Sequence, residues 1–168
     1  AYNGVLVNNV HHLHLGFYQD KGITKGPNMQ RDVMPILNQF REIQPDIISV
    51  TLDPEGSGPD THYKVLQATA AAVAEWSKEK DLSNVRIYGY RNVWFKFHPA
   101  EANMYVPVSL NALAVLDKSF AASYLSQVKA EFPNPFYDGP FSDIAKNTWI
   151  QQLQDIQLIL GKNYFYEN

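Results

Sequence analysis

At 168 residues the chain is long enough for one domain with a sizeable core, and 45% hydrophobic, 13% aromatic and 18% charged residues read as globular rather than disordered. The absence of cysteine excludes disulfides, thiolate metal sites and cysteine nucleophiles, and it fits a reducing, cytoplasmic compartment. A net charge of −3 with no basic run argues against nucleic acid as a partner, and no apolar stretch approaches the ~20 residues that span a bilayer.

Ala1-Tyr2-Asn3-Gly4 brings neither an initiator Met nor a signal-like block, which suggests that upstream sequence has been removed. Residues 5–7 and 13–15 read as short extended pieces, followed by a Gly/Pro loop over 20–28. Val33, Ile36, Leu37 and Phe40 recur at helical spacing, giving a helix that carries Pro35 in its first turn and ends before Pro45. The β-rich run 46–52 suits a strand buried on both faces of a parallel sheet. Residues 53–59 form a loop, after which Asp60 or Thr61 can cap a long helix. Its apolar face takes Val65, Leu66, Thr69, Ala72, Val73 and Trp76. Strands are expected at 85–90 and 104–108. Ser109 then caps a helix with Leu113, Leu116, Phe120, Leu125 and Val128, and a last helix runs from about 142 to 160 and stops at Gly161.

Strand and helix alternate, which predicts an α/β fold: an open, mostly parallel, Rossmann-like sheet with helices on both faces. No repeat or linker divides the chain, so residues 1–168 read as a single domain from which the first strands of a doubly wound sheet are missing.

The loop after the strand 46–52 holds the chemistry. In open α/β sheets ligands sit at the carboxyl ends of strands, and this loop concentrates Asp53, Glu55, Asp60 and His62, with Gly56 and Gly58 for sharp turns. His62 falls in the first helical turn, where its ring can turn back over the strand end. Imidazole is a common zinc ligand, and a catalytic zinc needs about three protein ligands plus water. One position supplies one of them. The bland reading stands beside this: Asp60 caps the helix, Asp53-Pro54 starts a turn and His62 lies on the surface.

The stretch Thr51-Leu52-Asp53-Pro54-Glu55-Gly56-Ser57-Gly58-Pro59-Asp60-Thr61-His62 resembles the second zinc motif of the LmbE-like (PIG-L) N-acetylglucosamine deacetylase family. That motif is Thr-x-Asp-Pro, a Gly-rich stretch, then His-Pro-Asp-His. Leu15-Gly16-Phe17 resembles the family's Leu-Gly-aromatic element just ahead of the middle helix, and the run from Asp117 to Gln127, with its closing Ser-Gln, resembles its late helix. The wording from Glu55 to Lys64 is most similar to the LmbE-like part fused to glucosamine-6-phosphate deaminase in some bacterial proteins. The resemblance implies a zinc-dependent N-acyl amino-sugar hydrolase in the full-length protein, with His62 as third zinc ligand. Asp53, Ser57 and Asp60 would meet the sugar, and an amino-sugar small molecule would be the partner; the oligomeric state is left open.

Two departures qualify this. The family's opening His-Pro-Asp-Asp, which gives two zinc ligands and the general base, is absent, so this chain alone is expected to bind no zinc and to be inactive. Pro59 stands where many members have a first His thought to help stabilise the oxyanion. Readings from other classes remain: a non-catalytic sugar-binding or regulatory module, or an interaction domain docking through Trp94, Phe95 and Phe97. His12 and His14 would share a face if 10–15 were a strand, and with His62 they would make a self-contained three-His site. His98 is expected partly buried against the aromatic stretch, with a hydrogen bond.

Overall fold

The computed structural model describes residues 11–16, 26–54, 60–91, 96–125 and 139–164. The extended piece expected at 5–7, together with Ser57, Trp94, Phe95 and Val128, lies outside them. The chain separates into two compact units, one of residues 11–96 and one containing residues 97–164.

In the first unit, residues 13–15 form irregular chain rather than the expected extended piece, since no ladder pairs them among the described residues. Asn28 opens the first helical segment. Its side-chain oxygen accepts from Arg31 N–H at 2.9 Å, and its own N–H donates to Asp32 Oδ2 at 2.9 Å, a reciprocal cap. The Asn28 carbonyl takes both Asp32 and Val33 N–H groups, which widens the first turn, Met29–Val33, into a π-helical one. It runs directly into α1, Met34–Ile43, with Pro35 in the first turn as the sequence predicts. α1 stops at Gln44, held at φ 51° in the left-handed region, and Pro45 prevents continuation. The Gln44 side chain secures this turn by donating to Arg41 O at 2.8 Å.

β1, Ile47–Thr51, leads through α2, Asp60–Trp76, to β2, Arg86–Tyr90. The strands are parallel, in register from Ile47 with Arg86 to Thr51 with Tyr90, and a parallel pair needs such a helical crossover. This is the open α/β arrangement that the alternation predicts. The strand at 46–52, however, is not buried on both faces. Ile48 and Val50 are buried, whereas Ile47 is 59% exposed and β2 is exposed throughout. The reason is that Ile48 joins Ile36 and Leu37 of α1 and Ala68, Ala72 and Trp76 of α2 in one core on its own side of the sheet.

α1 and α2 run parallel. At their C-terminal ends the Phe40 and Trp76 rings lie 5.3 Å apart, Arg41 Nε donates to Glu79 at 2.9 Å, and Lys80 Nζ donates to Gln44 at 2.6 Å. Their N-terminal ends therefore meet at the opposite end, where the π-helical turn packs on α2. The buried stripe of α2 is Lys64, Ala68, Ala72 and Trp76, spaced by four. Of the expected face, Ala72 and Trp76 are buried and Val73 packs against the core, whereas Val65 is exposed and Lys64 takes the inward position in the second turn.

In the second unit, the strand expected at 104–108 is absent. All five residues are exposed and unladdered, and Pro107 lacks the N–H a ladder needs. α3, Leu110–Ser123, is capped by Ser109, whose hydroxyl accepts from Ala112 N–H at 3.2 Å. Leu125, expected on this helix, lies beyond its end and is exposed. α4, Phe141–Leu160, ends at Gly161, which adopts φ 87°. His98 is exposed rather than partly buried. The hydrogen bond expected of it is a local one: its Nδ1 accepts from Ala100 N–H at 3.2 Å while its own N–H donates to Glu101 at 2.9 Å. No helix among the described residues is long and apolar enough to cross a membrane.

α3 packs on α4, and Lys146 of α4 bridges Asp117 of α3 and Asp143 of its own helix. The hydrogen bond from Lys146, then one from the Ser142 hydroxyl, hold the Asp117 carboxyl below its ordinary value. Its two carboxylate partners, Asp117 first, raise the Lys146 ammonium. A lowered carboxyl contributes stability above its unfolded pKa of ~3.9 and loses it as pH falls through the folded value. A raised ammonium contributes below ~10.4 and loses it as pH rises through its folded value. Asp117→Asn is therefore expected to lower the melting temperature at pH 7, with the gap to the parent closing below about pH 4. Thermal unfolding followed by circular dichroism from pH 3 to 8 checks this; a gap that stays constant over that range would refute it.

Candidate functional site at the carboxyl end of the parallel strands

The carboxyl end of β1, the start of α2 and the π-helical turn converge because α1 and α2 both run against β1. Asp53, two residues past β1, is 1% exposed. Across the loop, α2 begins with Asp60, which is exposed, and Thr61 and His62, which are half-buried. Asp60 is the first described residue of the helix. Asp53 and His62 both interact with neighbours, so neither is free.

The π-helical turn adds an ion pair. Asp32 is 1% exposed, and its carboxylate accepts from Arg31 Nε at 2.7 Å, from Arg31 Nη2 at 2.8 Å and from Asn28 N–H. The guanidinium thus grips both oxygens in a fork. Arg31 is in turn wedged by Gly16: a Cβ there would stand 2.7 Å from Arg31 Cδ and 2.8 Å from Cγ, inside any tolerable contact.

Of the residues singled out from sequence, Asp53 and His62 stand at this rim, Asp60 lies at its outer margin and Ser57 is outside the described residues. The three-His alternative fails. His12 and His14 are exposed on irregular chain, and among the described residues no three His, Asp or Glu side chains gather to hold a metal ion. The described residues therefore do not by themselves fit a zinc centre. Sequence reasoning missed Arg31, Asp32 and Lys64. The Asn28–Asp32 spacing hints at a cap, and Lys64 stands four residues before Ala68 on the stripe that ends in Trp76.

A cavity of about 340 Å³ lies beside the middle of β1, walled by Ile48 and Ser49, by Val65 and Thr69 of α2, by α1 and by His14. None of Asp53, Asp60 and His62 lines it. Position on the strand makes the rim, not this cavity, the better candidate, although His62, Val65 and Thr69 share one helical stripe at i, i+3 and i+7.

Over 114 residues, 65% of the chain, the sequence is 36% identical to a Bacteroides thetaiotaomicron protein named "Putative glucosamine-6-phosphate deaminase-like protein". The match covers 17% of that protein, so the chain spans about a sixth of the length of the curated relative it matches. No family model matches the chain, and no solved structure matches it.

Proposed function

We propose that this chain is part of an LmbE-like, zinc-dependent N-acyl amino-sugar hydrolase, with the rim around Asp53 and His62 facing the substrate. The reading is supported by the chain position of these two residues. Asp53, which is buried, follows a parallel strand at its carboxyl end, and His62, which is half-buried, lies in the first turn of the helix that comes next; open α/β sheets bind ligands at such ends. The relative's name, which refers to a phosphorylated amino sugar, supports the substrate class. In this reading the chain is one part of a larger protein that also carries glucosamine-6-phosphate deaminase-like sequence, as the short share of the relative that it covers would fit.

In this reading His62 gives one imidazole to a zinc ion whose other donors lie beyond the described residues. The metal would lower the pKa of a bound water and polarise the amide carbonyl. Asp53 orients the imidazole or meets a sugar hydroxyl, and Ser57 and Asp60 offer further hydrogen bonds to the sugar. Zinc content of the full-length gene product against its His62→Ala variant tests this. The variant is expected to bind zinc roughly tenfold or more weakly, the scale on which even outer partners of a zinc ligand act. Equal zinc content in the two proteins would sink the assignment.

A further inference from the structure

We infer that the free edge of β1 is a docking site for one more β-strand. The strand is an extended, uncharged segment with apolar side chains at alternate positions, supplied by the part of the larger protein that lies outside this chain. The backbone hydrogen bonds decide which groups are free. Arg86 N–H donates to Asp46 O and Leu52 N–H to Tyr90 O, both at 2.8 Å, and between them the register pairs Ile48 with Ile87 and Val50 with Gly89. Alternate residues of a strand turn their N–H and C=O groups to the same neighbour, so those of Ile47, Ser49 and Thr51 point away from β2. Among the described residues no strand pairs with that edge and no hydrogen bond reaches it.

The cavity of about 340 Å³ opens at this same edge. Ile48 and Ser49 both wall it, although their side chains alternate to opposite faces of the sheet, and no residue of β2 does. Only the edge away from β2 meets both conditions. Ile36 and Phe40 of α1 and Val65 and Thr69 of α2 give the cavity a largely apolar wall. Inward side chains of an added strand would enter there at every second residue, while its backbone meets the amide groups of Ile47, Ser49 and Thr51. These are the two halves of strand addition. β2, exposed throughout, offers no such covered wall on its own outer side. β1 also lacks what keeps a solvent edge unpaired: Ile47–Thr51 carries no charge and no Pro, and its register runs without a bulge.

The source of the strand is argued from length, since the chain spans 17% of the relative it matches. The inference therefore rests, with the proposed function, on the chain being part of a larger protein, but it needs neither zinc nor hydrolysis. Amide hydrogen exchange tests it, read residue by residue by mass spectrometry with electron-transfer fragmentation, in the dilute chain and in the full-length gene product. In the chain, Ile48, Val50 and Leu52 are expected to exchange slowly and Ser49 and Thr51 fast. In the full-length protein Ser49 and Thr51 are expected to slow by roughly a hundredfold or more. Ser49→Pro removes one edge N–H without touching the ladder to β2, so in the full-length protein it should return Thr51 to fast exchange while Leu52 stays slow. Should that variant disturb β1, Val65→Lys, which brings a charge to the cavity at an already exposed position, gives the same reading. Fast exchange at Ser49 and Thr51 in the full-length protein would overturn the inference. So would protection already present in the dilute chain, which would mean that the chain covers its own edge, or protection that grows with the chain's concentration, the mark of a second copy. Fast edge amides beside His62-dependent zinc binding would remove the strand alone, and a protected edge beside equal zinc content would remove the hydrolase reading alone.

Discussion

Trp76→Ala is expected to lower the unfolding free energy of the unit of residues 11–96 by about 3–5 kcal/mol, a large share of the 5–15 kcal/mol typical of a domain. Trp76 is 1% exposed and closes the core at the end where α1 and α2 converge. Its ring stacks at a tilt against Phe40, with centroids 5.3 Å apart, and lies under the Lys80 ammonium at 5.3 Å. Removing the indole deletes the largest fully buried side chain among the described residues and leaves a void beside Phe40 and Ala72, which are anchored on separate helices and close only partly. It also frees Lys80 from the ring, so the contacts joining the two helix ends loosen together. Urea unfolding followed by far-UV circular dichroism reads the effect without relying on the deleted fluorophore. A cost below about 1 kcal/mol would mean that the core is not where this structure places it.

Trp76 also shows what the sequence could and could not reveal. The helix was legible from length and periodicity, and so was the C-terminal half of its buried face, with Ala72, Val73 and Trp76; the N-terminal half was not. Five alanines at 68, 70, 71, 72 and 74 spread apolar character around the cylinder, and Val65, larger than Ala68, drew the expected face away from Lys64 and Ala68. What sets the phase is close approach: Ala68 and Ala72, both 0% exposed, let α1 come near, and Trp76 fills the space beyond them. The strands at 47–51 and 86–90 were legible because β-branched and aromatic runs sat between turn signals. The strand expected at 104–108 had the same composition, yet Pro107 and the lack of any ladder among the described residues leave it irregular. At the rim, Asp53 and His62 stood out by motif spacing. The Arg31–Asp32 pair did not, because adjacent opposite charges usually lie on a solvated surface and nothing in their spacing announces burial.

Arg31→Met is expected to cost about 3 kcal/mol of stability, at the low end of the range for breaking a buried pair from one side. The asymmetry lies in burial: the Arg31 side chain is 27% exposed and can be rehydrated, whereas that of Asp32 is 2% exposed and cannot. Without the fork, Asp32 keeps the Asn28 N–H and whatever further neighbour engages it, but loses the charge that balances it. Arg31→Met combined with Asp32→Asn should then recover about half of the loss, because a neutral amide needs no counter-charge and can still accept from Asn28. Simple additivity of the two substitutions in urea unfolding would show that Asp32 does not depend on Arg31. The consequence reaches α2 as well, since the turn that carries this pair packs on that helix.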